Sequence, residues 1–199
     1  MIRPALAWTA LGVAVTVPIV AATTSPLLAW RGPVYIAAGF AGVAGLALML
    51  VQPLLAGGCL PGLTVARQRR VHRAVGLALV AAVAMHVAGL WITSPPDVVD
   101  VLLFRSPTPF SLWGVLAMWA VFAAALLAVL RRRVRPRTWR AAHSALVVAA
   151  VAGTALHALL IQGTMGSVSK VALCVLVVGA TAKAVIDLRA WAPFRRRET

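Results

Sequence analysis

The sequence predicts an all-α integral membrane protein, a six-transmembrane helix bundle with both termini in the cytoplasm. Three observations predict it. Of the 199 residues, 62% are hydrophobic and 12% are charged, which is about half the charged share of a soluble domain. The apolar residues form six runs, each near the ~20 residues that a helix needs to cross a bilayer. The basic residues gather between alternate runs.

The six spans are separated by segments rich in Pro and Gly, which favour turns. They are predicted at about 5–22, 34–56, 71–93, 110–130, 141–162 and 168–188. No stretch is typical of a separate soluble domain, so residues 1–199 are predicted to form one domain. The first run resembles a signal peptide, but AATTSPLLA is a weak cleavage site, and we expect this span to be retained.

The basic residues predict the orientation of the bundle. Sixteen of the 19 Lys and Arg residues fall on one side, and the other side receives only Arg31, Arg105 and Lys170. Because Lys and Arg concentrate in cytoplasmic loops, the sixteen mark the cytoplasmic side. The net charge of +15 thus belongs to loops that flank a membrane, and we expect membrane lipid, not nucleic acid, as their partner.

All four histidines lie in two spans with equal spacing. His72 and His86 are fourteen residues apart in the third span, and so are His143 and His157 in the fifth. Fourteen residues are close to four helical turns, so each pair shares a side of its helix, about 21 Å apart along the axis. Both spans run outward, which pairs His72 with His143 on the inner side and His86 with His157 on the outer side. Two imidazole nitrogens per pair predict two bis-histidine b-type haems, with these residues as metal ligands, and transmembrane electron transfer.

Two small residues near the histidines have two interpretations. Gly76 and Gly153 each lie one helical turn from a histidine. A small residue there either leaves room for a flat macrocycle or lets two helices pack closely.

Arg73 and Arg140 beside the inner histidines also have two interpretations. They either bind haem propionates, since the guanidinium matches a carboxylate, or they serve topology and attraction to anionic lipid. Lys183 and Asp187, four residues apart, are expected to pair with each other. We find no Ser-His-Asp, Cys-His or paired-carboxylate pattern, so no catalytic residue is predicted. Cys59 and Cys174 fall toward opposite faces and predict neither a disulfide nor a metal site.

The histidine spans resemble a known family. The third span with its approach reads RQRRVHRAVGLALVAAVAMHVAGLWIT, and the fifth reads WRAAHSALVVAAVAGTALHALLIQG. Both resemble the ferric reductase-like transmembrane domain, whose superfamily includes NADPH oxidases, eukaryotic ferric reductases and the bacterial YedZ/MsrQ haem b membrane subunits. The resemblance covers about spans two to six. It implies two b haems between the third and fifth spans, ligated by the four histidines, and electron flow from the cytoplasm outward.

The resemblance to the oxidases and ferric reductases is limited to their membrane part, since they continue into a cytoplasmic flavin and nicotinamide module. Here about ten residues follow the sixth predicted span, and no Gly-rich dinucleotide fingerprint occurs. We therefore expect a separate cytoplasmic flavoreductase or membrane quinol as the electron donor. In size and plan the chain is more similar to YedZ/MsrQ of the bacterial inner membrane, which passes electrons to a periplasmic reductase. Some relatives of that type are associated with flavin, but no residue here assigns a flavin site.

Three other functions fit the same residues. The first is a self-sufficient ferric or oxygen reductase that meets its acceptor at the outer haem. The second is a haem-binding transporter or sensor without electron throughput. The third is a four-histidine transporter without a cofactor.

Overall fold

The computed structural model describes residues 4–188, which fold into helices joined by short connections. Seven α-helices are present in this range: α1 Pro4–Thr23, α2 Pro33–Ala56, α3 Val65–Thr93, α4 Pro95–Leu102, α5 Pro109–Val129, α6 Pro136–Leu160 and α7 Ser167–Asp187. Short 3₁₀ turns follow α1 and α5, at Pro26–Leu28 and Leu130–Arg133. Residues 4–188 contain no β-strand, so the all-α prediction is confirmed.

Six of the helices are long and apolar enough to cross a membrane: α1, α2, α3, α5 with its 3₁₀ extension, α6 and α7. The predicted six-span bundle is therefore confirmed. Its orientation stays a prediction. Five of the sixteen basic residues that predict it, Arg3, Arg189, Arg195, Arg196 and Arg197, lie outside the described residues.

The N-terminal end of α3 differs from the prediction. This helix begins at Val65, six residues before the predicted start, because Thr64 caps it by accepting a hydrogen bond from the Arg67 N–H at 3.3 Å. The basic run before His72 is consequently helical. The start of α6 is likewise earlier, at Pro136, since proline is well suited to a first helical turn.

The connection 94–108, which is predicted to lie on the outer side, contains the short helix α4. Pro95 and Pro96 form its first turn, where no backbone N–H is needed. Asp97 also lies in that turn and is favoured there by the helix dipole. Val98 is buried against the bundle, so α4 is anchored to the outer face.

The bundle is built from two helical hairpins, α2–α3 and α5–α6, each with an extensive internal interface. Helix α7 packs against both hairpins, and α1 lies at the periphery against α2 and α7. Apolar side chains of α2 and α7, such as Leu46, Leu50, Leu173 and Val177, form much of the buried core. Helices α3 and α6, which carry the histidines, make few direct contacts with each other.

Gly76 and Gly153 lie inside the hairpin interfaces. A Cβ on Gly76 would come within 3.0 Å of the Gln52 side-chain nitrogen on α2, and one on Gly153 within 3.0 Å of the Trp113 carbonyl oxygen on α5. Of their two interpretations, the structure supports close helix packing. Both residues face the partner helix of their own hairpin.

Candidate functional site

The histidines occupy two levels of the bundle. The rings of His86 and His157 lie at the outer level, with centroids 6.5 Å apart and planes inclined at 78°. At the inner level His72 lies on α3 and His143 on α6, each fourteen residues before the outer histidine of its helix. All four side chains are half-buried. The structure therefore brings His86 and His157 together across α3 and α6, and the pairing of His72 with His143 stays a prediction.

Three of the histidines are oriented by backbone carbonyls of the neighbouring helix. Nδ1 of His72 lies 3.2 Å from the Gln52 oxygen, Nδ1 of His86 lies 2.7 Å from the Ala38 oxygen, and Nδ1 of His157 lies 2.8 Å from the Phe110 oxygen. A carbonyl only accepts hydrogen bonds, so each Nδ1 carries the proton and donates it. Nε2 is then the nitrogen whose lone pair is available to a metal.

The two hairpins repeat this arrangement in register. On α2 the acceptor carbonyls belong to Ala38 and Gln52. On α5 the acceptor is Phe110, and the carbonyl of Ala124 lies beside His143 but outside hydrogen-bond geometry. The two positions on each helix are fourteen residues apart, the same spacing as the histidines. The sequence shows the spacing of the histidines but not that of the carbonyls, because every residue has a carbonyl.

Two glycines leave room for the outer imidazoles to approach the backbones of α2 and α5. A Cβ on Gly42 would lie 3.0 Å from His86 Nδ1, and one on Gly114 would lie 2.7 Å from His157 Nδ1. Each glycine is four residues after the carbonyl that its histidine contacts. Sequence reasoning missed both, because it looked for small residues only on the histidine helices. One sequence signal could have pointed to them: Gly42 and Gly114 are 72 residues apart, which is also the separation between Ala38 and Phe110.

The fourth histidine, His143, is held differently. Its Nδ1 is buried without a hydrogen-bond partner. Its ring stacks instead on the indole of Trp139, with centroids 5.1 Å apart and planes within 11°. The sequence pattern does not reveal this stacking, because it depends on how α6 packs against α5.

A buried cation lies one helical turn beyond the outer histidine of α6. Lys170, at the start of α7, is 8% exposed and donates a hydrogen bond from Nζ to the Ile161 oxygen at 2.6 Å. The Ile161 N–H in turn donates to the His157 oxygen at 3.1 Å. The sequence predicted an outer position for Lys170 but not its burial, since the pattern around it is simply that of a span start.

The outer connection forms a shallow cavity in front of α5. Its lining includes Phe104, Ser106, Thr108 and Leu112. The hydroxyl of Thr108 is hydrogen-bonded to those of Ser106, at 3.0 Å, and of the buried Ser111, at 2.5 Å. Phe110, whose carbonyl orients His157, lies in the chain between the lining residues Pro109 and Leu112.

The remaining predicted residues lie as follows. Arg73 and Arg140 are exposed near the inner ends of α3 and α6. Lys183 and Asp187 form the predicted ion pair, the only one within residues 4–188. Cys59 and Cys174 are free. Over the described range no three His, Cys, Asp or Glu side chains cluster as a metal site.

Residues 38–154 match the family model described as ferric reductase like transmembrane component. The match includes both hairpins up to the last turns of α6, and therefore His72, His86 and His143, whereas His157 lies three residues beyond it. No curated protein and no solved structure matches the chain.

Proposed function

The chain belongs to the ferric reductase-like transmembrane family, and we propose that within it this protein is a diheme b-type cytochrome. Domains of this family generally bind haem, and the presence of such a domain suggests electron transfer across a membrane. On our proposal the whole chain is one domain of the bacterial inner membrane. It takes electrons from a cytoplasmic flavoreductase or from quinol and passes them to an outer-side acceptor such as a periplasmic reductase.

The observation that carries the proposal is the geometry of the outer histidine pair. Two imidazoles bound to opposite faces of one metal ion, at roughly 2 Å per bond, hold their ring centroids about 6 Å apart. The rings of His86 and His157 are 6.5 Å apart, and the carbonyl contacts leave Nε2 free on both. These residues fit a six-coordinate haem iron.

On this proposal His86 and His157 would hold the outer haem, and His72 and His143 would hold the inner one. A bis-histidine haem supplies one-electron transfer without an open coordination position. The carbonyl hydrogen bonds fix the tautomer and plane of the imidazoles and raise their basicity as ligands. Between the two levels the buried Leu79 of α3 keeps the path apolar.

Arg73 and Arg140 are proposed as partners of the inner haem propionates. Both are exposed near the inner histidines, and within residues 4–188 neither is in an ion pair. A guanidinium binds a carboxylate through two parallel hydrogen bonds. Arg73→Gln and Arg140→Gln should therefore weaken retention of the inner haem more than that of the outer haem.

The first test is the visible spectrum and haem content of the purified full-length protein. Wild type should carry two low-spin b haems. His72→Ala or His143→Ala should remove the inner haem and keep part of the outer signal, and His86→Ala or His157→Ala should do the reverse. Full haem content in all four variants would refute the ligand assignment.

A second candidate function is direct reduction of a small acceptor, such as ferric iron or oxygen, at the outer haem. The cavity beside α5 favours it, because its lining residues Pro109 and Leu112 flank Phe110, whose carbonyl orients His157. Proteoliposomes loaded with reductant separate the two functions. Fast reoxidation by a ferric chelate without any protein partner supports direct reduction, whereas a requirement for a partner protein supports the relay.

A further inference from the structure

One of the four histidines lacks the hydrogen bond that orients the others. Nδ1 of His72, His86 and His157 each meets a backbone carbonyl, whereas Nδ1 of His143 has no partner. The terminal torsion of a histidine is broad, and the hydrogen bond on one ring nitrogen decides which nitrogen is presented to a metal. A ligand role for His143 therefore needs another restraint.

Trp139 supplies a contact that can act as this restraint. It lies one helical turn before His143 on α6, and the two rings are stacked at 5.1 Å and nearly parallel. The indole is itself fixed, because Nε1–H donates a hydrogen bond to the Leu127 oxygen on α5 at 3.1 Å. The Arg131 guanidinium lies over the same indole, 5.0 Å from its ring centroid, in the range of a cation–π interaction.

The other hairpin shows that this stacking is not a general property of the inner end. Gln68 precedes His72 by the same one turn. Its amide donates instead to the oxygens of Leu60, at 3.2 Å, and Leu63, at 3.1 Å, in the α2–α3 connection. His72 has its carbonyl partner on α2. At the inner level, the stacked aromatic ring thus accompanies the histidine that lacks a carbonyl bond.

We propose that Trp139 is the positioning residue for His143, holding by ring stacking an imidazole whose Nδ1 makes no hydrogen bond. This inference rests on the proposed function. An imidazole whose second nitrogen donates no hydrogen bond is a weaker metal ligand, so His143 is the most easily displaced of the four. Stacking limits the tilt of its ring and keeps Nε2 directed toward the inner metal position.

The experiment compares Trp139→Leu and Trp139→Phe with wild type as full-length protein purified with its haem. Trp119→Leu is the matched control, because Trp119 lies on α5 with 54% exposure and contacts Phe122 rather than a histidine. Two readouts are needed: the low-spin ferric signals in electron paramagnetic resonance, and binding of carbon monoxide to the dithionite-reduced protein. Carbon monoxide binds ferrous haem only after an axial ligand has left.

Wild type and Trp119→Leu should show two low-spin signals and no carbon monoxide binding. Trp139→Leu should lose or broaden the inner signal, keep the outer one, and bind about one carbon monoxide per chain. Trp139→Phe keeps a stacking ring but loses the indole N–H, and it should behave as wild type.

The outcomes separate the two proposals. A wild-type protein without two haem signals refutes the proposed function itself. Two wild-type signals together with an unchanged Trp139→Leu spectrum refute the positioning role. If Trp139→Leu does not assemble, Trp139→Phe decides: a wild-type spectrum supports stacking, and carbon monoxide binding would assign the restraint to the Leu127 hydrogen bond and overturn the inference.

Discussion

The contact of an imidazole with a backbone carbonyl is the smallest unit on which this site depends. Ala38 and Phe110 each offer a carbonyl, and a glycine one turn further on leaves room for the histidine ring. A side chain at Gly42 would crowd Nδ1 of His86, and one at Gly114 would crowd Nδ1 of His157. The two glycines are therefore as much part of the outer histidine level as the histidines themselves.

Gly42→Ala and Gly114→Ala should consequently weaken outer haem binding. The added methyl groups would lie 3.0 Å and 2.7 Å from Nδ1 of His86 and His157, and such overpacking costs about 1–3 kcal/mol. The outer signal should fall while the inner one persists, as measured by haem content and redox titration. Gly179→Ala on α7 is the control, since nothing lies within 4 Å of its Cβ position. Equal losses in all three variants would mean that the effect is one of general stability.

Residue-level prediction from the sequence succeeded where periodicity carries information. The equal spacing of the histidines predicted which of them face each other, and the outer pair is indeed in contact. The partners that orient them were not predictable, because carbonyls have no sequence signature. The stacking of Trp139 and the burial of Lys170 were missed for a related reason: both depend on how neighbouring helices pack, which the apolar pattern of a single span does not reveal.

At the level of elements, the connection between the third and fourth spans contains the short helix α4. Pro95 and Pro96 begin a helix there instead of preventing one. Asp97 and Asp100 are both exposed on it, directly after the helix that carries His86. On the proposed function, this acidic helix is a surface that a basic acceptor protein could meet near the outer haem.

Replacing both Asp97 and Asp100 by Ala should slow reoxidation of the outer haem by its protein acceptor. Electrostatic steering of this kind changes association rates by about tenfold or more at low ionic strength, and the effect should shrink as salt is added. Stopped-flow reoxidation with haem content held equal measures it. Asp187→Ala is the control, because Asp187 is predicted at the opposite membrane surface. Unchanged reoxidation rates at low salt would mean that α4 serves only as a connector.

For the molecule as a whole, the six spans were predictable because each is a continuous apolar run with turn residues between. The ends of the helices were less predictable. A cap at Thr64 and a proline at position 136 extend α3 and α6 beyond their apolar portions, and hydropathy alone places the boundary where polarity begins. The direction in which the bundle crosses the membrane depends on charge distribution, which only an experiment in a membrane can test.

Reporter fusions test that orientation. An enzyme that is active only in the cytoplasm should work when fused after Thr199, and one that is active only outside should work when inserted near Asp97. The excess of Lys and Arg on one side of the bundle motivates both expectations. External activity at the C-terminus would reverse the assigned direction of electron flow.

The sparse contact between α3 and α6 has a consequence for assembly. Each hairpin is well packed internally, but the helices that carry the histidines scarcely touch. On the proposed function each haem binds one helix of each hairpin and so links the two hairpins to each other. A ligand that binds only the folded state raises its stability with ligand concentration. Haem supply in the cell would then govern not only whether the protein conducts electrons but how much of it survives quality control.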